Sequence, residues 1–315
     1  MKAALVTTCL NEIDAIDAFL DAVLSQTRQP DEIVIVDASS QDGTISRIRD
    51  RKEKGAPITL IVSVGASRSE GRNNGIEETA CELIAVTDVG AIPRGDWFER
   101  IIAPLEADPE VDVVSGYYEP VATSLWEEAV CAATVPSAKE VDPETFLPSS
   151  RSVAFRKSAW EKVEGYPDSQ GLRNDTAEDT AFDLALRASG AKFLFEPDAV
   201  VEWRPNAAPR ALFRQFRAYA RGDAVRGLWF GHYTKAFVML VLTLALVAGG
   251  FAFPSLWLGL PALLAAYWLR HALRARRRTK SPGAALLAPI ANIIVDCAHV
   301  VGYATGLAGR HTDGA

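Results

Sequence analysis

"KAALVTTCLNEIDAIDAFLDAVLSQTRQPDEIVIVD", residues 2–37, decides the fold. Its two ends, "KAALVTT" and "DEIVIVD", are short β-branched runs, and the segment between them, "EIDAIDAFLDAVLSQ", repeats apolar residues every three or four positions. The pattern reads strand, helix, strand. Working outward, it continues with a helix near 43–53, a strand at "PITLIVSV", a helix near 68–80 and a strand at "LIAVTD" that ends on Asp88. Alternation on this scale predicts an α/β domain, a mostly parallel sheet with helices on both faces and ligands at the carboxyl ends of its strands. Asp37 closes the second strand and Asp88 the fourth, so both are expected in one crevice. Either acid, taken alone, equally fits a cap on the helix that follows.

After Asp37 comes "ASSQDGT", a small polar loop whose Asp42-Gly43-Thr44 suits a helix start with exposed N–H groups, where a phosphate or ribose fits. After Asp88 comes "VGAIPRGDW", with Gly90 where a second acid would complete a metal clamp. The four cysteines, at 9, 81, 131 and 297, are too scattered for a zinc site or a disulfide framework and are expected reduced and mostly buried. "MKAALVTTC" is read as the first strand rather than a signal peptide.

Charge divides the 315-residue chain: residues 1–202 carry −18 and residues 203–315 carry +11. An acidic front, with the net positive charge clustered in the back, argues against a nucleic-acid partner. "AFVMLVLTLALVAGGFAFPSLWLGLPALLAAYWL", residues 236–269, is uncharged, and Gly249-Gly250 and Pro254 are expected to divide it into a membrane hairpin. The alternative is a buried helical pair. A basic loop at 270–281 follows and is expected to stay cytoplasmic, which places residues 1–235 on the cytoplasmic side of a cell membrane as well. A third apolar stretch, 283–309, aligns Asn292, Asp296, His299 and Tyr303 on one helical stripe, lying in the interface or packed on protein. Asp296 and His299 read most simply as partners of one another. Before the hairpin, 206–235 is expected to form a basic amphipathic interfacial helix, with Arg210, Arg214, Arg217 and Arg221 on one face. Anionic lipid headgroups suit that face, and a substrate phosphate is the second use.

"VTTCLNE", "IVIVDASSQDGT", "GRNNGI", "LIAVTDVGAIPRGDW", "SRSVAFRKSAWEKVEGYPD" and "AEDTAFDLALRASGAKFLFEPDAVVEW" resemble, in order and spacing, family 2 glycosyltransferases, which share the GT-A fold. The resemblance implies a nucleotide-sugar half over 1–118 and an acceptor half over 119–205, followed by a membrane region over 236–315. It implies inverting transfer of a sugar from a nucleoside diphosphate donor to a glycan or lipid-linked acceptor. Donor binding would fall to Thr8, Asn11, Glu12, Asp37, Ser39, Asp42, Arg72 and Asp88, with Asp88 holding Mg²⁺ or Mn²⁺. Gly90 weakens that metal site without abolishing it, because substrate phosphates and water complete the shell of Mg²⁺. Asp179 is implied as general base with Glu178 beside it, although Thr176 followed by Glu178 and Asp179 also has the spacing of a capping box. Arg151 and Ser152 are implied at the acceptor. Processive relatives carry Gln-x-x-Arg-Trp where this chain has Arg214-Gln215-Phe216-Arg217-Ala218, which implies addition of a single sugar. Two competing readings are a catalytically inactive scaffold, suggested by Gly90, and a nucleotidyltransferase, which would need a glycine-rich, Lys- or Arg-bearing loop that "TTCLNEID" lacks.

Overall fold

The computed structural model describes residues 1–167 and 176–310. They form two compact units, residues 1–120 with 138–204 and residues 121–137 with 205–315. Residues 121–137, expected in the first unit, group with the second.

The first unit is built on an eight-stranded sheet. Its strands are β1 (Ala3–Cys9), β2 (Glu32–Asp37), β3 (Ile58–Val62), β4 (Leu83–Val86), β5 (Ala91–Pro93), β6 (Val113–Pro120), β7 (Val153–Arg156) and β8 (Phe193–Trp203), in the order β3-β2-β1-β4-β7-β6-β8-β5. The helices are α1 (Ile16–Leu24), α2 (Thr44–Glu53), α3 (Arg68–Glu78), α4 (Trp97–Ala107), α6 (Lys157–Lys162) and α7 (Glu178–Ala188), with α5 (Leu125–Thr134) belonging to the other unit. β1 to β4 pair in parallel, as the strand-helix alternation requires, whereas β7 runs antiparallel to both β4 and β6 and β5 antiparallel to β8. The sheet is therefore mixed, the arrangement of the GT-A fold.

Alternation within each strand supplies two cores. Leu5, Ile33, Ile35, Leu83 and Ala85 face α1 and α4, burying Phe19, Leu20, Trp97, Phe98 and Ile101. Val6, Val34, Ile84 and Val86 face the other way, onto Ile76, Trp160, Phe182 and Leu186. Each such side chain contributes about 1.5–3 kcal/mol on leaving water. Helix α3 rides close over β1 because Gly71 and Gly75 lack side chains: a Cβ at Gly75 would lie 2.6 Å from Val6 Cγ1. Helix α1 starts at Ile16, preceded by a turn in which Glu12 O accepts from Ala15 and Ile16 N–H while the N–H groups of Glu12 and Ile13 donate across to Thr44 Oγ1 and Asp42 Oδ2.

The second unit contains α5, α8 (Pro209–Arg226), α9 (Phe230–Ala252), α10 (Gly259–Arg276) and α11 (Pro282–Arg310). The apolar stretch breaks at Pro254, in a short 3₁₀ turn over Pro254–Leu258, and α9 runs unbroken through Gly249-Gly250. Two helices are long and apolar enough to cross a membrane, Phe230–Ala252 and Pro282–Gly309. α10 is not the second of them, because it continues through the basic segment to Arg276, but it folds back on α9 after the turn at Pro254–Leu258, the helical pair expected over 236–269. The polar stripe of α11 packs on protein: Asp296 accepts from Tyr267 Oη at 2.7 Å, His299 meets the rings of His232 and Tyr233, and Tyr303 is buried. Asp296 is thus partnered by Tyr267, not by His299. Three cysteines are buried and Cys297 is exposed.

Candidate active site

The first strand-to-helix loop and the second are bound face to face. Asn11 N–H donates to Ser40 Oγ at 2.7 Å, and Asn11 Oδ1 accepts from Gln41 N–H at 2.9 Å. Asn11 and Ser39 both take positive φ, 57° and 79°, a conformation that L residues adopt at a cost and hold where surrounding bonds over-determine it. Asp42 fixes the same junction: it accepts from Thr44 N–H and Oγ1–H and from Ile13 N–H, and the Thr44 hydroxyl holds its carboxyl below the usual range.

Asp37 does not open onto a crevice. It is fully buried, and its oxygens accept from Ser40 N–H at 2.6 Å, Ser40 Oγ at 2.7 Å and Cys9 Sγ at 3.2 Å. Its place is beneath the loop that carries Ser39 and Ser40.

Next to these loops lies a cavity of about 360 Å³. Thr8, Glu12, Arg68, Ser69, Asp88 and Arg151 supply its polar lining, with Gly90 and Trp203 among the rest. Burial, followed by the charges of Asp88 and Asp42, raises the Glu12 carboxyl above its usual range. Ser69 sits in the first turn of α3, whose capping box (Ser67 with Glu70) is complete, and its buried hydroxyl has no partner among the described residues. The Arg151 guanidinium sits in the corner formed by two perpendicular rings, 4.6 Å from the Trp203 centroid and 5.3 Å from that of Tyr118. Ser152, expected at the acceptor, is instead framework: its hydroxyl accepts from Trp97 Nε1 at 2.8 Å and donates to Ala199 O at 3.1 Å, wholly buried.

Arg72 joins the two halves of the site. Expected to touch the nucleotide, it is 2% exposed and spends its fork on carboxylates, Nη2 donating to Asp88 Oδ1 at 3.1 Å and Nη1 to Glu178 Oε1 at 3.0 Å. Its guanidinium also lies 5.2 Å from the Tyr166 ring centroid. Burial opposes the Arg72 charge, but Asp88 and Glu178 outweigh it and hold the proton more tightly. Burial raises the Glu178 carboxyl, Arg72 pulls it back and Asp179 pushes it up again. Asp179 follows at the start of α7, partly exposed, one oxygen accepting from Thr180 N–H at 2.8 Å. The residue that caps the helix is Ala177, whose side chain makes no cap bond. The quoted motif ending "GYPD" has its last residue, Asp168, outside the described residues.

Sequence reading missed Tyr166 and Asp183, which carry no local signal. Tyr166 stacks on Phe182 at 4.1 Å beneath Arg72, and Asp183, one turn after Asp179, is buried with Oδ2 unpartnered among the described residues. It also missed Arg68 and Ser69, for which the Ser-x-x-Glu spacing of Ser67 and Glu70 was the available signal. Arg214, Arg217 and Arg221 belong to the second unit, exposed along α8.

Among the described residues no three metal-ligating side chains cluster. Asp88 nevertheless fits a hard cation: Arg72 occupies Oδ1, and its side chain is 37% exposed at the cavity wall. One carboxylate with diphosphate and water oxygens is a donor set that Mg²⁺ or Mn²⁺ accepts.

The sequence profile of glycosyl transferase family 2 matches residues 4–162. The O-antigen chain rhamnosyltransferase RfbN of Salmonella typhimurium is 24% identical over 228 residues, 69% of this chain and 70% of that one. A poly-β-1,6-N-acetyl-D-glucosamine synthase of Staphylococcus aureus is 24% identical over 244 residues, 74% of this chain but 58% of the relative. In fold, the mannosyltransferase PcManGT of Pyrobaculum calidifontis, solved with GDP-Man and Mn²⁺, superposes with a TM-score of 0.60 at 21% identity, covering 97% of this chain and 87% of that one. S. aureus TarS 1–349, solved with UDP-GlcNAc, gives 0.54 at 14% identity over 99% and 92%. With its GT-A sheet and the family profile spanning half its length, the chain belongs to glycosyl transferase family 2 and is a glycosyltransferase.

Proposed function

We propose that the chain is an inverting glycosyltransferase that moves one sugar from a nucleoside-diphosphate sugar to a lipid-linked or otherwise membrane-proximal acceptor at the cytoplasmic face of a membrane. The observation that carries the reading is the Asp88–Arg72–Glu178 bridge, which couples a cavity-lining acid to the start of the helix bearing Asp179. The bound nucleotide sugars of the two solved neighbours support the donor class.

In this reading the nucleoside rests against Thr8, Glu12 and the loop braced by Asn11, Ser39 and Asp42, with Asp37 holding that loop from below. The diphosphate lies at Asp88, where Mg²⁺ or Mn²⁺ would neutralise its charge as it leaves. Arg151, packed against both Tyr118 and Trp203, presents a cation to the donor or acceptor phosphate. The acceptor hydroxyl loses its proton to Asp179 as its oxygen attacks the anomeric carbon from the face opposite the diphosphate. The two long apolar helices support anchoring. Tethering raises the effective concentration of an acceptor that shares the bilayer.

Asp179→Asn tests the assignment. Expected is a fall in kcat of about 10²–10⁴, with nucleoside diphosphate affinity by calorimetry unchanged. Turnover at the wild-type rate would remove Asp179 from the chemistry. Failure of the wild-type protein to bind any nucleoside diphosphate, with or without Mn²⁺, would favour the scaffold reading.

A further inference from the structure

We propose that α8 and α11 lie side by side in the plane of an anionic membrane surface, so that α11 does not cross the bilayer despite its length and apolarity. The inference rests on the membrane association read above.

The pairing of the two helices carries it. Leu212 shares a cluster with Ala291 and Val295, the rings of Phe216 and His299 stand 5.7 Å apart, a Cβ on Gly302 would meet Arg217 O and Ala220 Cβ, and one on Gly306 would meet Ala224 Cβ and Arg221 O. Both sequence positions advance together, so the helices run parallel and in contact from Leu212 to Ala224. Gly302 and Gly306, one turn apart, let the backbones close at that seam.

The burden on α8 then decides where α11 can sit. Arg210, Arg214, Arg217 and Arg221 form one exposed stripe, and none has an ion-pair partner among the described residues. At 1.5 Å per residue the stripe extends about 16 Å along the pair, half of the about 30 Å hydrocarbon thickness. If α11 stood upright as a span, α8 would stand beside it and carry unpaired guanidinium groups through the hydrocarbon, where charged side chains are strongly disfavoured. With the pair laid flat, all four reach headgroup level at once and meet anionic lipid phosphate.

The apolar exposure agrees. α11 shows one outward stripe, Leu286, Ile290, Ile293 and Val301, while its other faces are buried on α5, α8 and α10. In α9, by contrast, Leu240, Val241 and Leu242 are exposed in succession, so apolar side chains point outward all round. α9 is the helix suited to insertion.

Single cysteines at Lys280→Cys and Ala308→Cys, both exposed and placed in a Cys297→Ser background of the full chain, flank α11. With a membrane-impermeant maleimide applied to spheroplasts and to inverted vesicles, both are expected to label from the same side. Labelling of Ala308→Cys only from the opposite side, or from neither, overturns the inference. Recovery of the protein in the soluble fraction would instead sink the membrane reading itself. A second measurement avoids new cysteines: the protein in nanodiscs containing phosphatidylglycerol should melt a few degrees above that in phosphatidylcholine alone. The difference should vanish in the combined variant Arg214→Gln, Arg217→Gln, Arg221→Gln, and equal melting of the wild type in both lipids overturns the proposal.

Discussion

Gly90 is where the residue scale is most informative. A Cβ built there meets nothing within 4 Å, so the missing second acid is a chemical choice and not a steric one. Gly90→Asp should fold normally and bind Mn²⁺ more tightly, a gain read by calorimetry with a nucleoside diphosphate present; unchanged affinity would place position 90 outside the metal's reach. Arg72 works oppositely: both of its terminal nitrogens are committed to carboxylates, although its buried Nε has no hydrogen-bond partner among the described residues. Removing one partner of a buried ion pair leaves uncompensated charge, so Arg72→Met should cost about 3–5 kcal/mol in denaturant unfolding. Arg72→Lys should recover part of this, because it keeps the charge but loses the fork that reaches Asp88 and Glu178 together. The "GRNNGI" motif marked Arg72 but not its partner across 106 positions, because that pairing depends on how α3 and α7 dock on the sheet.

At the scale of elements, α7 concentrates acids that its sequence presents as an ordinary amphipathic helix. Burial first, and then the charge of Asp179, push the Asp183 carboxyl well above its usual range. The folded chain therefore keeps a proton that the unfolded chain releases near pH 4. Folded protein then binds more protons than unfolded, so this group makes stability fall as pH rises above about 4. Asp183→Asn should remove that contribution, and the melting temperature of the variant should decline less than wild type between about pH 5 and 7. Parallel curves would show Asp183 solvated in the native state. Strand and helix periodicity made β1 to β4 and their helices legible. The bonds that tie the turn before α1 to the neighbouring loop were not, because local pattern carries no record of them.

For the whole molecule, the chain passes between its two units more than once. α5 lies between β6 and β7 in sequence yet packs Val130 with Leu212, Ala291 and Val295, and Ala132 with Ala275, Ala285 and Ala288. The hydroxyl of Thr279 also donates to Glu128. Truncation after Pro205, the domain boundary expected from sequence, should strand the buried face of α5 and give aggregation-prone protein, measured by size exclusion against the full chain. A monodisperse, nucleotide-binding fragment would show that α5 needs no partner.

Local periodicity by itself determined the α/β class, the first four strands and their parallel direction, and the acids placed at or just past strand ends, because side-chain alternation and helical spacing are written within a dozen residues. Composition likewise separated an acidic front from an apolar, basic back. Tertiary structure alone decided that Asp37 and Ser152 are framework, that Arg72 unites Asp88 with Glu178, and that α11 is flanked by an arginine-bearing helix. These are contacts between segments far apart in the chain, and their energies depend on burial and on partners that no single stretch of sequence contains.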